Sequence, residues 1–390
     1  MTHLMQTYNR LPVSFVRGDG IWLWDDKGDK YFDALAGIAV CGLGHAHPAV
    51  SQAVCEQSKQ LVHTSNLFRI PHQERLAEKL CAITAMDNVF FSNSGAEANE
   101  AALKIVRKYG NQKNIDTPTV IVTENSFHGR TLATLTATGN RQVQAGFEPL
   151  VKGFVRVPFN DVDAISHVAA NNKKVVAVMV EPIQGEGGVN VPSDDYLNQV
   201  REICDQNNWF MILDEIQTGM CRTGHWFAHQ HNGIVTDILT VAKSLGNGIP
   251  IGACIARGEA SQQLQTGNHG STFGGNPFAS AEALAVIDTM QNTDMPAHVT
   301  ATGQLLQKKL RAALSGIEAV VDVRGKGLMV GIELDRPCTE LMTQALEQGL
   351  VINVTAQKVI RLLPPLIIDH EGVELLVGKL QTLIKAFAGS

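Results

Sequence analysis

Much that would place this chain in a familiar class is missing from it. Its seven cysteines, at positions 41, 55, 81, 204, 221, 254 and 338, are scattered and form no C-x-x-C pair. An odd, dispersed set excludes a disulfide framework and reads as reduced structural thiols, and no cysteine motif supports a nucleophilic role. No uncharged apolar run approaches the roughly 20 residues that a membrane helix requires. The opening MTHLMQTYNRLPVSF has no basic stretch followed by an apolar one, so no secretory signal is expected. Positive charge is not in excess: a formal net charge of −6 leaves no basic footprint for nucleic acid. Low-complexity stretches and internal repeats are also absent. What remains is ordinary globular composition, 44% apolar and 18% charged over 390 residues, enough for a large core and more than one domain. A cytoplasmic protein is expected.

The apolar residues come in short runs. Asn88–Phe91, Thr119–Thr123, Val175–Val180, Phe210–Leu213 and Ile238–Val241 are β-rich and nearly free of charge, as strands buried on both faces of a mostly parallel sheet are. Helical patterns such as Ala96–Tyr109 and Asp195–Asn207 lie between them. The alternation predicts an α/β fold, with a large domain over residues 51–280 made of a mostly parallel sheet flanked by helices. Residues 12–36 carry a hairpin pattern with turns at Gly18-Asp19-Gly20 and Asp26-Lys27-Gly28-Asp29. This places residues 1–50 as an N-terminal segment folding back on a smaller α+β domain, residues 281–390. That domain reads as long helices (Ala279–Met290, Thr300–Ser315), strands near Val320–Val323 and Met329–Leu334, and a closing helix from Gly372. In such sheets ligands gather at the carboxyl ends of the strands.

Three segments there carry chemistry, and each alone is ambiguous. Ser92–Ala102 follows a strand and opens a helix. Ser94 and Gly95 allow a tight turn, Ala96 keeps the first helical turn open, and free backbone N–H groups at the helix start make an anion site, yet Ser94 with Glu97 is also an ordinary capping box. Phe210–Gly219 ends a strand in Asp214-Glu215, which suits a base, a partner for a buried cation, or a plain solvated strand end. Metal is the weakest of these, because no His/Cys/Asp cluster has metal spacing. Thr240–Gly252 sets a lone Lys243 between an apolar strand and a glycine-rich loop; such a lysine is a nucleophilic amine or simply snorkels to solvent. Together, a phosphate cradle, a carboxylate and an amine are the three attachments that pyridoxal 5'-phosphate needs. The aspartate keeps the pyridine nitrogen protonated so that the ring accepts electrons. Phe127, past the strand Thr119–Thr123, offers a ring to lie over it.

The motifs NSGAEANEAA, SFHGRT, EPIQGEGG, LDEIQTG, AKSLGNGIPIG and HGSTFGGNP, in this order, resemble the class III (subgroup II) aminotransferases of fold type I. The similarity extends from Tyr31-Phe32-Asp33 and Gly44-His45-Ala46-His47-Pro48 to Arg361-Leu362-Leu363-Pro364-Pro365, and within the family it is nearest the acetylornithine branch. The resemblance implies transamination of N2-acetylornithine with 2-oxoglutarate, with succinylornithine, succinyl-diaminopimelate, ornithine or 4-aminobutyrate as alternative donors. It also implies roles. Lys243 binds the cofactor covalently and shuttles the proton. Asp214 pairs with the pyridine nitrogen, Gln217 contacts the ring oxygen, and Phe127 stacks on the ring. Ser94, Gly95 and Ala96 hold the phosphate, with Thr272 supplied by the second subunit of a homodimer. Ser271 belongs with the substrate-binding residues. Arg130 takes the remote carboxylate of the substrate and Arg361 the near one, which Glu186 replaces when the donor has none.

Ile38 stands where the ornithine enzymes are expected to carry a tyrosine for the α-amine, so the uncharged α-nitrogen of an acylated donor fits better. His45 and His47, in an HxHP turn, read as structural. A nicotinamide-dependent dehydrogenase would need a G-x-G-x-x-G turn between strand and helix, and Gly325-Lys326-Gly327 leads into a strand instead. No phosphate-binding G-x-x-x-x-G-K-[ST] loop exists, and intact Lys243, Asp214, Arg130 and Arg361 argue against a non-catalytic relative.

Overall fold

Seven short apolar segments pair into one central sheet, and the direction of each strand decides which loops meet. The computed structural model describes residues 3–389; Met1, Thr2 and Ser390, and with them the outer ends of the expected segments 1–50 and 281–390, lie outside the described residues. Near the start, β1 (Phe15–Asp19), β2 (Trp22–Asp25) and β3 (Lys30–Asp33) form an antiparallel ladder. The central sheet contains β4 (Asn88–Ser92), β5 (Thr119–Thr123), β6 (Phe154–Val157), β7 (Val175–Val180), β8 (Phe210–Asp214), β9 (Ile238–Val241) and β10 (Gly252–Ala256). Its order is β4-β10-β9-β8-β7-β5-β6. Four of its pairings are parallel, while β10 runs antiparallel to both β4 and β9. The chain is therefore α/β with a mostly parallel sheet, as its composition predicts. Two strands of this sheet escaped the sequence reading: β6 carries a charge (FVRV), and β10 (GACIA) has a single β-branched residue.

Both faces of this sheet are covered. Met179 and Ile212 pack with Leu103, Val106 and Tyr109 of the helix Gly95–Gln112. On the other face Val178, Val180, Met211 and Leu213 meet Leu197, Val200 and Cys204 of the helix Tyr196–Asn207. A fully buried side chain of this kind contributes about 1.5–3 kcal/mol, so the sheet is a rigid platform.

Beyond the helix Pro277–Asn292, which runs through the expected boundary at 280/281, comes the helix Met295–Leu314 and a second sheet. It is built from β11 (Val320–Lys326) and β12 (Met329–Leu334), then β14 (Asn353–Thr355) and β15 (Val359–Leu362), in the order β11-β12-β15-β14. The intervening β13 (Leu350–Val351) joins the N-terminal ladder instead, parallel to β3. A closing helix, His370–Ala388, packs on this part of the core. No helix among the described residues is long and apolar enough to cross a membrane.

One local feature runs against the rules of L-residues. Ala36, Gly37, Ile38 and Ala39 have φ of 49°, 63°, 66° and 59°. They form one turn of left-handed helix, closed by the N–H of Ala39 donating to Leu35 O (3.0 Å) and that of Val40 to Ala36 O (2.8 Å). Each non-glycine residue so placed costs about 1–2 kcal/mol.

Candidate active site

Five strand ends empty into one cavity of about 390 Å³. After β4 come Asn93, Ser94, Gly95 and Ala96; after β5, Phe127, His128, Gly129 and Arg130; after β7, Glu181; at the end of β8, Asp214 and then Ile216 and Gln217; after β9, Ala242 and Lys243. Because β10 is reversed, the loop that precedes it, Gly248–Ile251, reaches the same end and closes one wall.

The helix Gly95–Gln112 starts here because Ser94 caps it. Its side chain accepts from the N–H of Glu97 (3.2 Å). Glu97 in turn accepts from the backbone N–H of Asn93 (2.6 Å) and from Asn93 Nδ2 (3.0 Å). The expected capping box is thus displaced by one residue, and it leaves the N–H groups of Ser94, Gly95 and Ala96 with no acceptor among the described residues. Three free donors at the positive end of an 18-residue helix make an anion cradle. Gly95 is required: a Cβ there would lie 2.6 Å from Ile216 Cδ1.

Asp214 is buried at the cavity floor, and its Oδ2 accepts from Asn99 Nδ2 (2.8 Å) and His128 Nδ1 (2.8 Å). Among the described residues Oδ1 accepts only the N–H of Ile216 (3.1 Å), which leaves it capacity for one more donor. Asn99 is itself fixed, donating to His128 O (2.8 Å) and accepting from Thr240 Oγ1 (2.8 Å). His128 Nε2 is buried with no partner among the described residues. Glu181 accepts from the N–H of Phe127 (3.0 Å) and, weakly, of Gly185 (3.4 Å). Burial pushes its carboxyl up to about 7; His128 opposes the shift and Asp214 adds to it.

Lys243 sits at φ 47° on the cavity wall, and its Nζ has no hydrogen-bond or ion-pair partner among the described residues. Burial lowers its ammonium group to about 8, and Arg361 acts in the same sense, while Glu186, Asp214 and Glu181 resist it. Near neutrality about a tenth is therefore free amine, far more than for an ordinary lysine, and this is the form that attacks a carbonyl.

Arg361 and Glu186 stand just outside this cavity, joined to it through Gln217. Arg361 is 1% exposed; its Nη1 donates to Glu186 Oε1 (2.6 Å) and more weakly to Gln217 Oε1 (3.4 Å), and its Nη2 to Asn353 Oδ1 (2.7 Å). The Glu186 side chain is 36% exposed, so it can leave the pair without crossing the core. Arg130 is exposed, with its guanidinium 5.8 Å from the Phe127 ring centre and no ion pair among the described residues. Ser271 and Thr272 are not brought to this cavity in their own chain. Ser271 Oγ accepts from Asn93 Nδ2 (3.2 Å) and from the N–H of Gly274 (3.0 Å), and Thr272 is exposed. Ile38 does not line the cavity either; it packs with Ile183, Val189 and Leu363, so the contrast with a tyrosine rests on sequence alone.

Sequence reasoning missed Asn99, His128 and Glu181, although each lies inside a segment it singled out. Signals were present. Asn99 is a lone amide on a buried helical stripe with Leu103, Val106 and Gly110, and Glu181 directly follows a strand much as Asp214 closes one.

Similarity to known proteins points the same way as this geometry. The family Aminotransferase class-III matches residues 4–384. An acetylornithine aminotransferase of Nitrosomonas europaea is 52% identical over 390 residues, covering 100% of this chain and 99% of that protein. The enzyme of the same name from Aquifex aeolicus is 45% identical over 385 residues, covering 98% and 100%. Among solved structures, the ornithine aminotransferase of Toxoplasma gondii superposes with a TM-score of 0.95 at 34% identity, covering 99% of this chain and 93% of that one. The acetylornithine aminotransferase of Elizabethkingia anophelis does so with a TM-score of 0.88 at 34% identity, covering 98% and 96%.

Proposed function

Because this chain belongs to the class-III aminotransferases, a family that works with pyridoxal 5'-phosphate, we propose that it passes the terminal amino group of N2-acetylornithine to 2-oxoglutarate, giving N-acetylglutamate 5-semialdehyde and glutamate for arginine biosynthesis. The observation that carries this reading is an unpartnered amine, Lys243, facing a floor carboxylate, Asp214, beside a buried arginine already holding a displaceable carboxylate.

The residues fit the cofactor. Its phosphate suits the three free N–H groups of Ser94, Gly95 and Ala96. Its ring nitrogen suits the spare acceptor capacity of Asp214 Oδ1, Gln217 on the cavity wall would contact the ring oxygen, and Phe127 would offer an aromatic face. When bound, pyridoxal phosphate supplies an aldehyde and an electron-accepting ring that stores the amino group between the two half-reactions.

The chain's own groups do the rest. Lys243 Nζ would attach the cofactor and would move the proton at the substrate carbon. Its lowered basicity lets it do so near neutral pH. Asp214 would receive the ring nitrogen, its carboxylate held in place by Asn99, His128 and the N–H of Ile216. Arg361 receives the near carboxylate of glutamate. Without one it keeps Glu186, because stripping a buried charge of its partner costs about 3–5 kcal/mol. Arg130, open to solvent, takes the remote carboxylate by a bidentate contact.

Thr272 is exposed and does not line its own cavity, and Leu67, Phe68 and Phe273 expose 87%, 67% and 58% of their surface. A second copy covering this face accounts for both features: the reading includes a homodimer whose subunits complete each other's phosphate site. It also divides the chain at about residues 50 and 280 and places the enzyme in the cytoplasm.

Borohydride reduction followed by peptide mapping tests the attachment; label on a peptide without Lys243 refutes it. A panel of half-reactions with acetylornithine, succinylornithine, ornithine and 4-aminobutyrate tests the donor. Acetylornithine should be the fastest, and a preference for unacylated ornithine or for 4-aminobutyrate would overturn the assignment.

A further inference from the structure

The left-handed turn at Ala36–Ala39 has a backbone that L-residues resist, so its neighbours must hold it there. They do so from three sides. Asp33 Oδ1 accepts the N–H groups of Leu35 (2.9 Å) and Ala36 (2.8 Å), and its Oδ2 is fixed by His45 Nε2 at 2.7 Å. Ser244, the residue after Lys243, donates its hydroxyl to Ala39 O (2.8 Å). The chain following Arg361 adds two more bonds, from the N–H of Leu363 to Ala34 O (2.8 Å) and of Leu366 to Gly42 O (2.7 Å). The contact with Ser244 is close as well as directed: a Cβ on Gly42 would lie 2.9 Å from Ser244 Oγ.

What the turn touches matters as much as what holds it. Leu35, Ile38 and Ala39 pack with Val189, three residues past Glu186, and with Leu363, two residues past Arg361. Val40, the next residue, lines the cavity. The turn is therefore a wedge between the loop that carries Lys243 and the two segments that carry Arg361 and Glu186.

We propose that this strained turn is a spacer setting the separation between Lys243 Nζ and the Arg361 guanidinium, with Ser244 and Asp33 as positioning residues for substrates whose carboxylate adjoins the reacting carbon. The inference rests on the aminotransferase reading given above. An α-amino acid carries the proton to be moved and its near carboxylate on one carbon, so the two protein groups that meet them must stand at one fixed spacing. A terminal amine has no near carboxylate, leaves Arg361 on Glu186, and tolerates a change in that spacing. Loosening the wedge should therefore injure one half-reaction and spare the other.

The test uses the cofactor-loaded enzyme in single-turnover half-reactions with glutamate and with acetylornithine. Ser244→Ala should lower kcat/KM for glutamate about tenfold, less than a full ångström of misplacement exacts, and change the acetylornithine value less than about twofold. Ser244→Thr, which keeps the hydroxyl, should restore most of the loss. Ala39→Gly relieves the strained backbone but removes one buried Cβ packed on Val189 and Leu363, so it should melt close to the wild-type temperature and still shift the ratio of the two half-reactions against glutamate. Equal losses with both donors, or none with either, would overturn the spacer role, as would a steep fall in the melting temperature of Ala39→Gly. A wild-type enzyme inactive with both donors would instead bring down the reading on which it rests.

Discussion

The cofactor side of the site and its substrate side are built on different terms. Asp214 is buried and held by Asn99, His128 and a backbone N–H, and the anion cradle is stiffened by the Ser94–Glu97 cap. On the substrate side one arginine is buried and paired with a half-open glutamate, the other is exposed with no ion pair among the described residues, and Thr272 is exposed outside its own cavity. Fixed groups suit chemistry that is the same in both half-reactions; exchangeable ones suit two substrates that present their carboxylates differently. Preorganisation is concentrated where nothing needs to change.

That contrast can be broken by mutation. Lys243→Ala should lower both half-reactions equally, by about 10²–10⁴-fold, in stopped-flow traces of the cofactor's absorbance. Asp214→Asn keeps the shape but not the charge, and should cost about 10²–10³-fold with either donor; a loss confined to one donor would erase the distinction between the two sides. Arg361→Ala should split the donors, with glutamate losing about 10²-fold in kcat/KM and acetylornithine under about tenfold. Arg130→Ala should raise KM for both, roughly tenfold, since both donors carry a remote carboxylate and the site is open to water.

The smallest effect is a pH profile. With its ammonium lowered to about 8, Lys243 becomes neutral at a pH where an ordinary lysine stays charged. Cofactor capture by the cofactor-free protein should therefore speed up as pH rises through about 8 and then level off. The unfolded chain binds the extra proton above that pH, so stability of the cofactor-free form should also rise between about 8 and the ordinary lysine range. A capture rate that keeps climbing beyond pH 10 would mean that burial does not act on this amine.

The elements legible in the sequence were those with one unambiguous physical signal. Uninterrupted β-rich runs such as Val175–Val180 could only be doubly covered strands, and Lys243 stood out as a lone cation after one of them. The reversed strand β10 was not legible, because Gly-Ala-Cys-Ile-Ala has little β-branching and direction leaves no trace in composition. The left-handed turn was hidden for a sharper reason: only one of its four residues is glycine, so the local sequence predicts the opposite hand, and distant groups such as Asp33 and Ser244 override it. His128 and Asn99 were passed over because their partner, Asp214, lies 86 and 115 positions away.

The reversed direction of β10 also bears on redesign. The segment Gly248–Ile251 turns at the mouth with Gly248 and Pro250 exposed, while the ladder behind it is pinned to β4 and β9 along its length. Residues inserted there would bulge into solvent without pulling on the lysine, which makes this lip the place to widen the entrance for bulkier amines.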